Sequence, residues 1–154
     1  MSRTSLHATC IATNGAGILL MGAPGSGKSS LALAMMDTAG SGCAQEPMHT
    51  SLVADDRVIV EWRDGRLVAR PPLALAGLLE IRGLGPVRVR HAQSAVLHLA
   101  VRLVPSPEIE RLPDEEIFTI AGHDLPMIRL DPFTPFACAR LRAAVITLCR
   151  GSCA

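Results

Sequence analysis

The chain has 154 residues, the size of one compact domain, and 49% of them are hydrophobic, enough for a substantial core. A formal net charge of +1, dispersed basic residues and only four aromatic side chains (Trp62, Phe118, Phe133 and Phe136) argue against a nucleic-acid or acidic-membrane surface. The five cysteines form no CxxC pair and read as thiols in a reducing compartment, and no apolar run is long enough for a signal peptide or a membrane span, so a soluble cytoplasmic protein is expected.

In chain order, SLHATCIAT and GAGILLMG read as two short strands joined at Asn14-Gly15, a pair that tolerates the positive φ of a tight hairpin turn. Ile18 to Met21 are apolar on both faces, as in a central strand. A Gly-rich turn follows, then a helix over SSLALAMMDTAG, with Leu31, Ala34 and Met35 at helical spacing and Gly40 as its stop. Residues 41–50, with Gly42 and Pro47, read as an irregular loop near the rim of the site. SLVADD is a short strand, and RVIVEWRDGRLVARPP is a hairpin turning at Asp64-Gly65. LALAGLLEIRG reads as a short helix closing at Gly83; LGPVRVRH and AVLHLAVRLVP as extended segments; PSPEIERLPDEE as a loop. IFTIAGHDLPMIRLDP reads as two strands around Gly122-His123-Asp124. The last helix is expected over TPFACARLRAAVITLCRG, with Thr134 as N-cap, Pro135 at its first position and Gly151 beyond its end.

The sharpest motif is GAPGSGKS at 22–29, which satisfies GxxxxGK[ST] between an apolar strand and a helix. Gly22, Gly25 and Gly27 let the backbone turn tightly, so that the segment Gly22, Ala23, Pro24, Gly25, Ser26, Gly27, Lys28, Ser29 and Ser30 cradles phosphate oxygens at a helix N-terminus with the N–H groups of all but Pro24. Lys28 supplies a cation for the β- and γ-phosphates, and Ser29 a hydroxyl for Mg²⁺. Such a loop calls for a carboxylate at the end of a nearby strand. LVADD offers two, Asp55 and Asp56, whose side chains would point to opposite faces of a regular strand. Both can serve one cavity only if the strand end twists. His49, His91, His98 and His123 have no metal-ligand spacing.

Together, HATCIATNGAGILLMGAPGSGKSSLAL, LVADDRV and LLEIRGLG resemble the catalytic domain of HPr kinase/phosphorylase, in the short form found in alphaproteobacteria. The resemblance implies an α/β, strand-rich P-loop kinase fold with a mixed sheet and few helices. It also implies ATP-dependent phosphorylation of a serine on an HPr-like phosphocarrier protein, and phosphorolysis in reverse, with phosphate consumed and pyrophosphate released. Catalytic roles fall on Asp55, Asp56, Lys28, His7, Glu80 and Arg82. Asp55 is the implied base in the kinase direction and acid in reverse, and His7 orients an active-site group. Arg82 contacts phosphate or carboxylate. The implied metal ligands are Ser29, Asp55, Asp56 and Glu80.

The match begins almost at Met1, so a catalytic domain over 1–154 without a separate N-terminal domain is expected, and residues 41–50 look inserted relative to the family. DPFTPFA at 131–137 stands where the family carries a basic, Gly-containing segment that contributes to nucleotide and neighbouring-subunit contacts, which puts regulation, oligomer contacts and phosphorolysis in question. The resemblance implies a homo-oligomer. Two alternatives stay open: a P-loop kinase with another substrate, and an ATP-binding regulatory protein of low turnover that reports to a partner such as a sensor kinase.

Overall fold

The computed structural model of the protein describes residues 3–149. Within them the chain forms β1 (Arg3–Leu6), β2 (Thr9–Thr13), β3 (Ala16–Met21), α1 (Lys28–Asp37), β4 (Thr50–Ala54), β5 (Val58–Arg63), β6 (Arg66–Arg70), β7 (Leu78–Ile81), β8 (Gly85–Arg88), β9 (Ala95–Leu103), β10 (Glu116–Ile120), β11 (His123–Leu130) and α2 (Ala137–Leu148). Nine strands join one mixed sheet, and β7 and β8 form a separate hairpin. The β3–β9 and β9–β11 pairs are parallel. This is the strand-rich α/β architecture the sequence implied.

Asn14-Gly15 (φ 48° and 83°) and Asp64-Gly65 (φ 53° and 77°) make the two tight turns their chemistry predicts. β3 is buried along its whole length. Its Ile18 and Leu20 face a cluster with Leu31 and Met35 of α1 and Leu141 and Val145 of α2. Its Leu19 and Met21 face a second cluster with Val53, Val58, Val60 and Ala100. Two apolar faces explain why the strand shows no alternation.

One pairing feature positions the site. Leu6 of β1 lies opposite Val58 of β5, and Cys10 of β2 opposite Ala54 of β4. Both pairs share one register, so β1–β2 and β4–β5 are the two strands of a single antiparallel ribbon, interrupted where residues 7–9 face residues 55–57. The ribbon bends there. Its β1–β5 half continues to β6, its β2–β4 half continues to β3, and both routes meet at β9.

Several local expectations are corrected. Residues 73–83 are not a helix: Leu73–Leu75 make one 3₁₀ turn and Leu78–Ile81 a strand. Gly77 (φ 75°) and Gly83 (φ 90°) take left-handed conformations that a helix cannot absorb. Leu79 is fully buried while Leu73 is 94% exposed, so the leucines do not share a face. α1 ends at Asp37, ahead of Gly40. Arg142 of α2 ends it by donating to the carbonyls of Met35 (3.4 Å) and Thr38 (2.5 Å). α2 begins at Ala137 with Phe136 at the cap position, because the Thr134 hydroxyl is engaged with the Asp131 carbonyl in the preceding turn. Gly151 lies outside the described residues. The β10–β11 turn is Ala121-Gly122, both at positive φ, with His123 and Asp124 already in β11.

The loop before β4 does not reach the site rim. Met48 is buried in the core and bridges Gly40, and the His49 and Asn14 backbones hydrogen-bond at 2.9 Å. A Cβ on Gly42 would stand 2.8 Å from the Ala143 nitrogen of α2. The loop thus sits at the start of five-residue β4, about 16 Å by strand rise from the Asp55 end. Cys10, Cys43 and Cys138 form no disulfide, and Cys153 lies outside the described residues. Among the described residues no helix is long and apolar enough to cross a membrane.

Candidate active site

β3 delivers the chain into the loop 22–27, and α1 starts at Lys28. Gly27 is required twice over. Its φ is 100°, and a Cβ there would stand 2.7 Å from Pro132 Cγ and 3.1 Å from Phe133 Cζ. Lys28 is 9% exposed, and its Nζ donates to the carbonyls of Gly22 (2.9 Å) and Ala23 (3.2 Å). Ser26 Oγ is buried without a hydrogen-bond partner.

The ribbon bend brings the carboxylates to this loop. Asp55 is 5% exposed and accepts three hydrogen bonds. Its Oδ1 takes the hydroxyls of Thr9 (2.8 Å) and Ser29 (2.9 Å), and its Oδ2 takes the backbone N–H of Glu80 (2.9 Å). A carboxylate has about four acceptor sites, so about one remains. The Arg57 N–H then donates to the Asp55 carbonyl at 2.8 Å across Asp56, whose φ is 67°. This is a γ-turn of the positive-φ kind, the rarer and more strained of the two. It breaks the strand alternation that would send neighbouring side chains to opposite faces, and Asp55 and Asp56 line one cavity. Asp56 is exposed, with His7 Nδ1 at 3.3 Å from its Oδ1.

Segment 80–85 forms the tip of the β7–β8 hairpin, with Glu80 opposite Pro86 and the Leu84 N–H closing onto the Ile81 carbonyl at 2.9 Å. The Glu80 and Arg82 side chains are exposed, both residues line the cavity, and Arg82 makes no ion pair among the described residues.

The cavity has a volume of about 620 Å³, within the range of small-ligand sites. It gathers His7, Pro24, Gly25, Gly27, Lys28, Ser29, Ser30, Asp55, Asp56, Glu80 and Arg82. Gly22, Ala23 and Ser26 shape the loop beneath it. The residues fit a nucleotide's phosphates and a magnesium ion. The buried Ser26 hydroxyl lacks a partner, the Lys28 ammonium keeps a third N–H beyond its two carbonyl bonds, and the Ser29 hydroxyl beside Asp55 is an all-oxygen donor set. No group of three His, Cys, Asp or Glu side chains that could hold a metal occurs among the described residues, so Asp55, Asp56 and Glu80 do not converge as one three-carboxylate set.

Two residues of the site escaped the sequence reading. Thr9 braces Asp55, and nothing in its local pattern singles it out, because His7 and Ala8 lie in the break between β1 and β2. Phe133 lines the cavity from the loop before α2; the resemblance points to segment 131–137, but its residue types give no reason to single out Phe133.

The chain is matched by the model of the HPr Serine kinase C-terminal domain over residues 1–134. It is 36% identical over 104 residues to HPr kinase/phosphorylase of Clostridium beijerinckii, covering 66% of this chain and 31% of that protein. It is 35% identical over 140 residues to the Enterococcus faecalis protein of the same name, covering 83% of this chain and 42% of that one. The chain thus spans less than half the length of these curated relatives. The solved HPr(Ser) kinase/phosphatase of Coxiella burnetii superposes with a TM-score of 0.73 at 25% identity, covering 96% of this chain and 88% of that one. The chain belongs to the HPr Serine kinase C-terminal domain family.

Proposed function

We propose that the protein is an ATP-dependent protein-serine kinase that acts in the cytoplasm on an HPr-like phosphocarrier protein, and that inorganic phosphate drives the reverse, phosphorolytic direction. The observation that carries this reading is the 2.9 Å contact between Asp55 and Ser29, which joins the strand-end carboxylate to the phosphate loop at one point.

The loop N–H groups and Lys28 bind and align the β- and γ-phosphates. Ser29, with Asp55 behind it, would hold Mg²⁺, which when bound draws charge from the phosphate oxygens. Asp55 is fixed by three donors and keeps about one acceptor site, so it is preorganised to take the proton of the incoming serine hydroxyl. The serine oxygen bonds to the γ-phosphorus as the bridging bond to ADP breaks. In reverse, an oxygen of inorganic phosphate bonds to the phosphoserine phosphorus as its bond to the serine oxygen breaks, Asp55 returns the proton to that departing oxygen, and the pyrophosphate formed is released. Asp56, paired with His7 at the cavity mouth, aligns the acceptor and the metal shell. Arg82 supplies a cation for inorganic phosphate, and Glu80 holds Asp55 through its backbone N–H.

The test is transfer from labelled ATP with Mg²⁺ to an HPr-like protein, followed by mapping of the phosphate. Serine labelling that Asp55→Asn abolishes while nucleotide binding persists is the expected result. Nucleotide binding without transfer to any serine would overturn the proposal.

A further inference from the structure

We propose that Phe133 is the stacking platform for the nucleobase, an inference that rests on the kinase reading above and adds a residue to its substrate site. The ring is 71% exposed yet forms part of the cavity wall. The other three aromatic side chains are committed elsewhere. Trp62 and Phe118 pack on the second core cluster, and Phe136 lies beneath the Arg140 guanidinium at 5.7 Å.

Phe133 stands beside Gly27, the last loop residue before α1, close enough that a Cβ on Gly27 would lie 3.1 Å from its Cζ. The next two residues, Lys28 and Ser29, serve the phosphates. Of the Phe and Trp rings among the described residues, Phe133 is the one that lines the cavity holding this helix start, within reach of the base of a nucleotide bound there by its phosphates.

The backbone that carries the ring is anchored. The Phe133 N–H donates to Asp131 Oδ1 at 3.0 Å. Asp131 Oδ2 in turn accepts the Ser106 N–H (3.0 Å) and hydroxyl (2.6 Å), tying the loop to the end of β9. A loop already anchored loses little backbone freedom on binding. Every base has a π face, so such a platform favours nucleosides over bare phosphates without choosing among bases.

Isothermal titration of the whole chain with MgADP and with magnesium tripolyphosphate tests this. Phe133→Ala is expected to weaken ADP binding about tenfold and leave tripolyphosphate unchanged, with Phe133→Trp restoring ADP affinity. Unchanged ADP affinity, or equal loss for both ligands, would overturn the platform while leaving the kinase reading intact; equal loss would show that Phe133 only supports the loop. Failure of the wild-type protein to bind either ligand would overturn both.

Discussion

Replacing Thr9 by Val removes a buried hydroxyl that donates to Asp55 Oδ1 at 2.8 Å and changes little else in shape. The carboxylate is not orphaned, because Ser29 and the Glu80 N–H still reach it. The loss is therefore one hydrogen bond to a charged group, about 1.5–2 kcal/mol, at the low end of its class. For a domain of this size that lowers Tm by roughly 3–8 °C. With one of three braces gone, Asp55 is free to drift. Misplacement of a catalytic group by about 1 Å costs up to about 100-fold in rate, so kcat should fall while ATP binding holds. Thermal melts followed by circular dichroism, with kinase assays on the same samples, measure both effects. Thr9→Ser should recover most of each, and Thr9→Val combined with Asp55→Asn should cost less than the two singles added together. A Thr9→Val protein that melts within about 1 °C of wild type with an unchanged kcat, or strict additivity with Asp55→Asn, would show that the hydroxyl does not hold the carboxylate.

Arg142→Met should destabilise the fold by about 1.5–3 kcal/mol in urea titrations, since the buried guanidinium is the donor to the Met35 and Thr38 carbonyls that end α1. Alkylation of the native protein should modify exposed Cys43 well before Cys10, whose thiol burial pushes up to about 12; equal labelling rates by mass spectrometry would contradict this. The Ser106 hydroxyl first, then the Phe133 N–H, hold the Asp131 carboxyl below its usual value despite some desolvation. A depressed folded-state pKa gives stability that is full above the unfolded value of about 3.9 and lost as pH falls through the folded one. Ser106→Ala should therefore raise the Asp131 titration midpoint seen by NMR and loosen the Phe133 loop at a higher pH than in wild type.

How much could be read in advance depended on whether the chemistry was contiguous. Eight adjacent residues from Gly22 to Ser29 carry their own backbone requirement, so the tight loop that leads from β3 into α1 was legible without the fold. The Asn14-Gly15 and Asp64-Gly65 turns were legible for the same reason, since positive φ is a property of those residues. The segment from Leu73 to Gly83 was not. A short apolar run suits helix and strand equally, and pairing with β8 decided between them.

The two aspartates show the division most clearly. That a strand-end carboxylate serves the loop follows from P-loop chemistry. That neighbouring side chains on one strand share a cavity follows only from the ribbon bend, where Asp56 turns the chain and Thr9, forty-six residues away, meets Asp55. The positions of Phe133 and of the loop before β4 likewise rest on which strands and helices they pack against. Local sequence specifies turn chemistry and ligand-binding backbone because those depend on a few adjacent dihedrals and side chains. Cross-strand register and loop docking depend on contacts between distant segments, which settle only when the two apolar clusters close around the sheet.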